Sequence, residues 1–137
     1  MKLSQKAKSQ YYKGLLVLLR RDRVIDDREK DLMLRIGEIL GFERRFCEAT
    51  INDLLSNANI TRDPILFPDE TIRECFFRDA VRLALIDDNL HPSELRWLRS
   101  VARFNGLTDA WLDDVIREIR EKNPAKNNAP FEIQQHL

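Results

Sequence analysis

Apolar positions recur at helical spacing through most of this chain, and the periodic stretches fall into two sets of three. Tyr12, Leu15, Leu16, Leu18 and Leu19 form one broad face, which predicts a helix from about Ser4 to Arg21. Leu32, Met33, Ile36, Ile39 and Leu40 predict a second, starting at Asp26 or Asp27 and ending at Gly41, a residue suited to the left-handed position after a helix. Phe46, Cys47, Thr50, Ile51, Leu54 and Leu55 predict a third, from about Glu43 to Leu55. Further helices are expected from Asp69 to about Ile86, from Pro92 to Asn105 and from Asp109 to about Lys122. Thr108 or Asp109 would cap the last of them, and Gly106 would supply the stop before it.

The two sets are related by a fixed shift: Asp22 + 65 is Asp87, and the same 65 carries Glu29 onto Glu94, Gly41 onto Gly106, Phe46 onto Trp111 and Ile51 onto Ile116. An offset held over so many positions marks a repeated helical unit. The expected architecture is all-α, a compact bundle of about six to seven helices formed by two pseudo-symmetric three-helix repeats in a single domain, 1–137. Repeat one covers about 11–55, a bridging segment 56–70, repeat two about 71–121 and a tail 122–137. In the bridge, Ile60, Ile65, Leu66 and Phe67 are too apolar for a solvated linker, so it should pack down across the core. The tail is polar around Phe131 and Ile133, which leaves both a short docked helix after Pro130 and plain disorder open. Lys2, Lys6, Lys8 and Lys13 put positive charge at a helix N-terminus, the unfavourable sign, so that end is expected to fray or to dock on an acidic surface.

Composition narrows the function classes. Lys plus Arg and Asp plus Glu both count 23, a net charge of zero, so there is no electrostatic footprint for nucleic acid or an anionic membrane. No segment approaches the ~20 apolar residues that span a bilayer, and the expected setting is cytoplasmic, without membrane insertion. Cys47 and Cys75 do not map onto one another under the 65-residue shift, so buried thiols in a reducing compartment are expected rather than a bridge. His91 and His136 are the only histidines, both expected at the solvent, and no nucleophile elbow, phosphate-binding glycine loop or Cys–His pair stands out. The chain is therefore not expected to be an enzyme.

The chemistry that remains is acidic. DRVIDDRE at 22–29 and DDNLHPSE at 87–94 are one helix-to-helix connection written twice. With Asp26 or His91 as cap, Glu29 and Glu94 fall at the third helical position, where a carboxylate reaches back to the cap amide in a capping box worth about 1 kcal/mol. Asp22 and Asp87 sit where a helix ends, and a carboxylate there is unfavourable by ~0.3–1 kcal/mol. Either an Asx-type turn or a bound cation would offset that cost. Carboxylates about 4 Å apart repel by roughly 4 kcal/mol at an effective dielectric of 20, so the four acids would converge only around positive charge or on protonation. Oxygen donors without thiolate or paired imidazole favour a divalent Ca²⁺ or Mg²⁺.

A D-x-x-[IVL]-x-x-x-E connection with a glycine twelve residues after the glutamate, present twice, resembles the TerB-like family associated with tellurite resistance. DRVIDDRE with Gly41 and DDNLHPSE with Gly106 carry the resemblance, over about Tyr11 to Glu121; Arg23 and Asp88 stand where many members have glycine. It implies a helical bundle with pseudo-twofold internal symmetry and an acidic metal site, with Asp22, Glu29, Asp87 and Glu94 as candidate ligands. Such domains also occur fused to a J-domain, but HPS at 91–93 is not the HPD tripeptide. The functional expectation is a non-enzymatic TerB-like binding module linked to tellurite or stress response. The alternative is a protein-interaction or co-chaperone-type scaffold whose acids are only helix caps, its unidentified protein partner meeting an exposed face such as Trp97, Phe104 or Trp111. Those aromatics have the spacing of core positions.

Overall fold

The computed structural model describes residues 4–19, 27–56, 65–86, 90–122 and 130–137, with side chains described in all of these except 54–56. Among these residues six α-helices follow in order: α1 (Gln5–Leu19), α2 (Asp27–Ile39), α3 (Arg44–Ser56), α4 (Glu70–Ala84), α5 (Pro92–Phe104) and α6 (Asp109–Glu121). A short 3₁₀ helix, Glu132–His136, comes last, and no strand occurs among the described residues. The all-α bundle expected from apolar periodicity is the fold.

The register of the elements is regular: α4, α5 and α6 begin at 70, 92 and 109, each 65 residues after the starts of α1, α2 and α3 at 5, 27 and 44. Their ends keep the same interval, 19 to 84, 39 to 104 and 56 to 121. Local chemistry explains the coincidence. Ser4 Oγ accepts from the amide of Ala7 at 3.1 Å, and Asp69, the residue 65 later, accepts from the amide of Ile72 at 3.0 Å. Two of the orphan amide groups at the helix starts are thereby satisfied. The lysine-rich beginning of α1 thus carries a cap as far out as Ser4. After α2 the amide of Phe42 reaches back to the Gly37 carbonyl at 2.8 Å, and after α5 Leu107 reaches back to Ala102 at 2.9 Å. Gly41 (φ 89°) and Gly106 (φ 80°) turn the chain between them in the left-handed conformation, as their spacing predicts.

α1 and α4 form the centre. α1 packs against α2, α3, α4 and α5, while α4 packs against α1, α5, α6 and the 3₁₀ helix. Tyr11, Leu15, Leu16, Leu18 and Leu19 from α1 and Phe76, Phe77, Val81 and Leu83 from α4 are fully buried. Their rings interlock: Tyr11 meets Phe76 edge-on with centroids 5.4 Å apart, and Phe67 stacks on Phe76 at 4.5 Å. Gly14 makes this approach feasible, since a β-carbon there would lie 2.7 Å from the Phe76 ring. Gly37 plays the corresponding part between α2 and α3, where a β-carbon would lie 2.3 Å from Cys47 Sγ.

The bridge packs down in part. Phe67 is buried and Ile65 half-buried, but Leu66 is 50% exposed; Ile60 lies outside the described residues. Asn105, buried at the end of α5, holds this segment, its Oδ1 accepting from the Phe67 amide at 2.7 Å and its Nδ2 donating to the carbonyls of Ile65 at 2.7 Å and Val101 at 2.9 Å. One amide side chain thereby uses both its donor and its acceptor ends to join the two halves. Phe46, placed by periodicity on the inner side of α3, is instead 53% exposed and rests on Phe42, with centroids 5.5 Å apart. The inner face of α3 is carried by Cys47 and Ile51, one helical step on. Residues 130–137 are ordered against the bundle, in keeping with the docked-helix reading of the tail.

Candidate functional site

Glu29 and Glu94 stand in the first turns of α2 and α5, and both are buried, 6% and 1% exposed. Burial of a carboxylate at two positions 65 residues apart is uncommon for groups that ordinarily remain in water. Glu94 Oε1 accepts from the His91 amide at 3.2 Å, the side-chain half of a capping box, with Pro92 at the favoured first position. His91 and His136 are both half-buried rather than at the solvent, because α5 and the 3₁₀ helix draw them against the bundle. Asp22 and Asp87, with Asp26 and Asp88, lie outside the described residues. Among the described residues no three His, Cys, Asp or Glu side chains come together as a metal-binding group.

A third buried acid was not anticipated. Asp79 on α4 is 1% exposed, and its carboxylate accepts hydrogen bonds from three directions. Tyr11 donates its hydroxyl from α1, while the backbone amides of Glu132 and Ile133 donate to Oδ1 and Oδ2 at 2.8 and 3.2 Å. Loss of water pushes its carboxyl up from 3.8 to about 6; the three hydrogen bonds favour the charged form and pull the other way, but desolvation is the larger effect. Beside it, burial first and the Asp79 charge second raise the Cys75 thiol to about 11 and hold the Tyr11 phenol well above its usual range. Both therefore remain protonated at neutral pH, and Cys75 is not an activated nucleophile. Arg82 completes the setting, donating to the Pro130 carbonyl at 3.1 Å with its guanidinium 4.4 Å above the Phe131 ring. Desolvation lowers its pKa.

The sequence pattern contains one trace of this arrangement. Asp79 is a lone acid inside the apolar run Phe76, Phe77, Ala80 and Val81, where an outward polar face would not place it. Asn105 is disguised differently, since an Asn–Gly pair reads as turn chemistry and conceals a side chain turned inward. Of the aromatics considered as an interaction face, Trp97 is buried in the core, and Trp111, half-buried, packs against it and meets Phe77 edge-on at 6.2 Å. Phe104 alone stays outside, 53% exposed. No helix among the described residues is long and apolar enough to cross a membrane. Comparison with protein-family models, curated proteins and solved structures finds no match to this chain.

Proposed function

We propose that the chain is a TerB-like, non-enzymatic binding module in which the paired acidic connections hold a divalent cation, Ca²⁺ or Mg²⁺, and that it serves a tellurite- or stress-linked response. The carrying observation is the burial of Glu29 and Glu94 at matched positions in the first turns of α2 and α5. Asp22 and Asp87 are seven residues upstream of these glutamates and supply the remaining oxygen donors. A hard cation held by such oxygens offsets the cost of keeping the acids charged close together. The competing reading is an interaction scaffold in which the glutamates act solely as caps, and the Glu94–His91 hydrogen bond favours it.

Calorimetric titration with Ca²⁺, Mg²⁺ and Mn²⁺ separates the two. The cation reading expects saturable binding and a rise in thermal midpoint with ion concentration, both abolished in Asp22→Asn/Asp87→Asn. Absence of binding, or binding that the double substitution leaves unchanged, would eliminate the cation and leave the scaffold reading.

A further inference from the structure

Residues 130–137 stand apart from the regularity of the rest. The helices α1 to α6 complete two sets of three in a common register, and the 3₁₀ helix at Glu132–His136 lies outside both. Its attachment to α4 is nevertheless specific. Phe131 and Ile133 are fully buried, Asp79 accepts from two successive backbone amides, and Arg82 takes the Pro130 carbonyl and covers the Phe131 ring.

The first half contains an informative counterpart. Asp79 is the residue 65 after Gly14, and residues 130–133 are 65 after 65–68 in the bridge. At Gly14 the bridge comes close enough that Ile65 Cδ1 would lie 3.3 Å from a β-carbon, so chain passes over both positions. In the first half the contact is apolar and the chain continues directly into α4. In the second, a buried carboxylate takes the place of a missing side chain and reads main-chain amides. The amides that Asp79 accepts from are the unpaired donors at the start of the 3₁₀ helix, so recognition depends on a helical turn and two apolar anchors rather than on one particular side chain, which is how peptides are taken up by a fixed surface. A five-residue 3₁₀ helix has little stability of its own, so once its anchors are lost it departs as a unit.

We propose that residues 130–137 are a releasable strap latched to α4 by the Asp79 carboxylate, and that the socket beneath it is a peptide-docking site whose occupant in cis is this segment. Phe131 and Ile133 are its apolar anchors, while Asp79, held from behind by the Tyr11 hydroxyl, and Arg82 are the fixed polar contacts of the socket.

Two measurements on the full chain test this. In native-state hydrogen exchange, the Glu132 and Ile133 amides should exchange about 10- to 100-fold faster than those of Phe77 and Val81 in α4, with a smaller denaturant dependence. Asp79→Asn should widen that gap. Exchange of all four amides at one rate would mean that the strap opens only with global unfolding, and would overturn the proposal. In the second measurement, Phe131→Ala/Ile133→Ala vacates the socket without shortening the chain, and a labelled peptide of residues 130–137 is titrated against it by fluorescence anisotropy. Saturable binding is expected, weakened about tenfold or more when Asp79→Asn is added, the scale of a charge-assisted hydrogen bond. Failure of the double variant to keep its helical circular dichroism, absence of peptide binding, or binding indifferent to Asp79→Asn would each refute the strap.

Discussion

Asp79 should make this protein less stable as pH rises through the mildly acidic range, the reverse of ordinary acid denaturation. Its carboxyl titrates near 3.8 in an unfolded chain and near 6 in the folded one. A group whose folded pKa is raised gives stability that is fully present below the unfolded value and is lost as pH climbs through the folded value. At about 1.36 kcal/mol for each pH unit, the interval from 3.8 to about 6 amounts to roughly 3 kcal/mol lost between pH 4 and pH 7. Other carboxylates act in the opposite sense: the Arg78 hydrogen bond holds Glu118 low, and the Arg103 hydrogen bond holds Asp109 low. The useful quantity is therefore a difference. Asp79→Asn is nearly isosteric and cannot ionise, so urea unfolding of both proteins at pH 4, 5, 6 and 7 cancels every shared group. The stability of the natural chain relative to the variant should fall by about 3 kcal/mol across that range. A difference independent of pH, or one that grows with pH, would show that the three hydrogen bonds outweigh desolvation and that the argument is wrong.

The other predictions concern packing and termini. Gly37→Ala would drive a methyl group into Cys47 Sγ, and overpacking of ~1–3 kcal/mol should exceed the ~1 kcal/mol gained in helix propensity. Urea unfolding should show a net loss of about 1–2 kcal/mol that Cys47→Ala relieves in a double-mutant cycle; additive effects would rule the clash out. Gly41→Ala and Gly106→Ala meet no atom within 4 Å, so each should lose only the backbone cost of the left-handed conformation, about 1–2 kcal/mol. Similar losses at the two sites are expected, and a large inequality would mean that the two turns are not equivalent. Asp69→Ala removes the cap on the Ile72 amide and should cost about 1 kcal/mol in thermal unfolding, with Asp69→Asn retaining most of it.

The helices were legible because their determinants are local. Apolar spacing, Ser4, Asp69 and Thr108 as caps, and Gly41 and Gly106 as stops act within a few residues of where they stand, and element boundaries followed to within one or two residues wherever both ends are described. The repeat of the acids is a property of the sequence itself, a fixed offset that needs no knowledge of tertiary contacts. The fate of Phe46 was not legible: its spacing suits an inward position, but α3 is rotated so that Cys47 and Ile51 enter the core. Asp79 and Asn105 escaped as well. Their partners lie 53 and 38 residues away at Glu132 and Phe67, and no local rule reports a hydrogen bond of that reach. Of the four acids chosen from the sequence, Glu29 and Glu94 are placed in equivalent helix starts, while Asp22 and Asp87 lie outside the described residues.

The clasp formed by Asn105 has a chemical corollary. Asn105 precedes Gly106, a pairing whose side-chain amide is prone to attack by the next backbone nitrogen and to loss of ammonia when the chain is pliable. In the fold that amide is committed to three partners. Conversion to a carboxylate would preserve the acceptor for Phe67 but strip the donors from the Ile65 and Val101 carbonyls, and it would bury a charge. Ageing of the molecule at this one position is thereby tied to its time spent unfolded: each excursion invites an acidic scar, and each scar makes the next excursion easier.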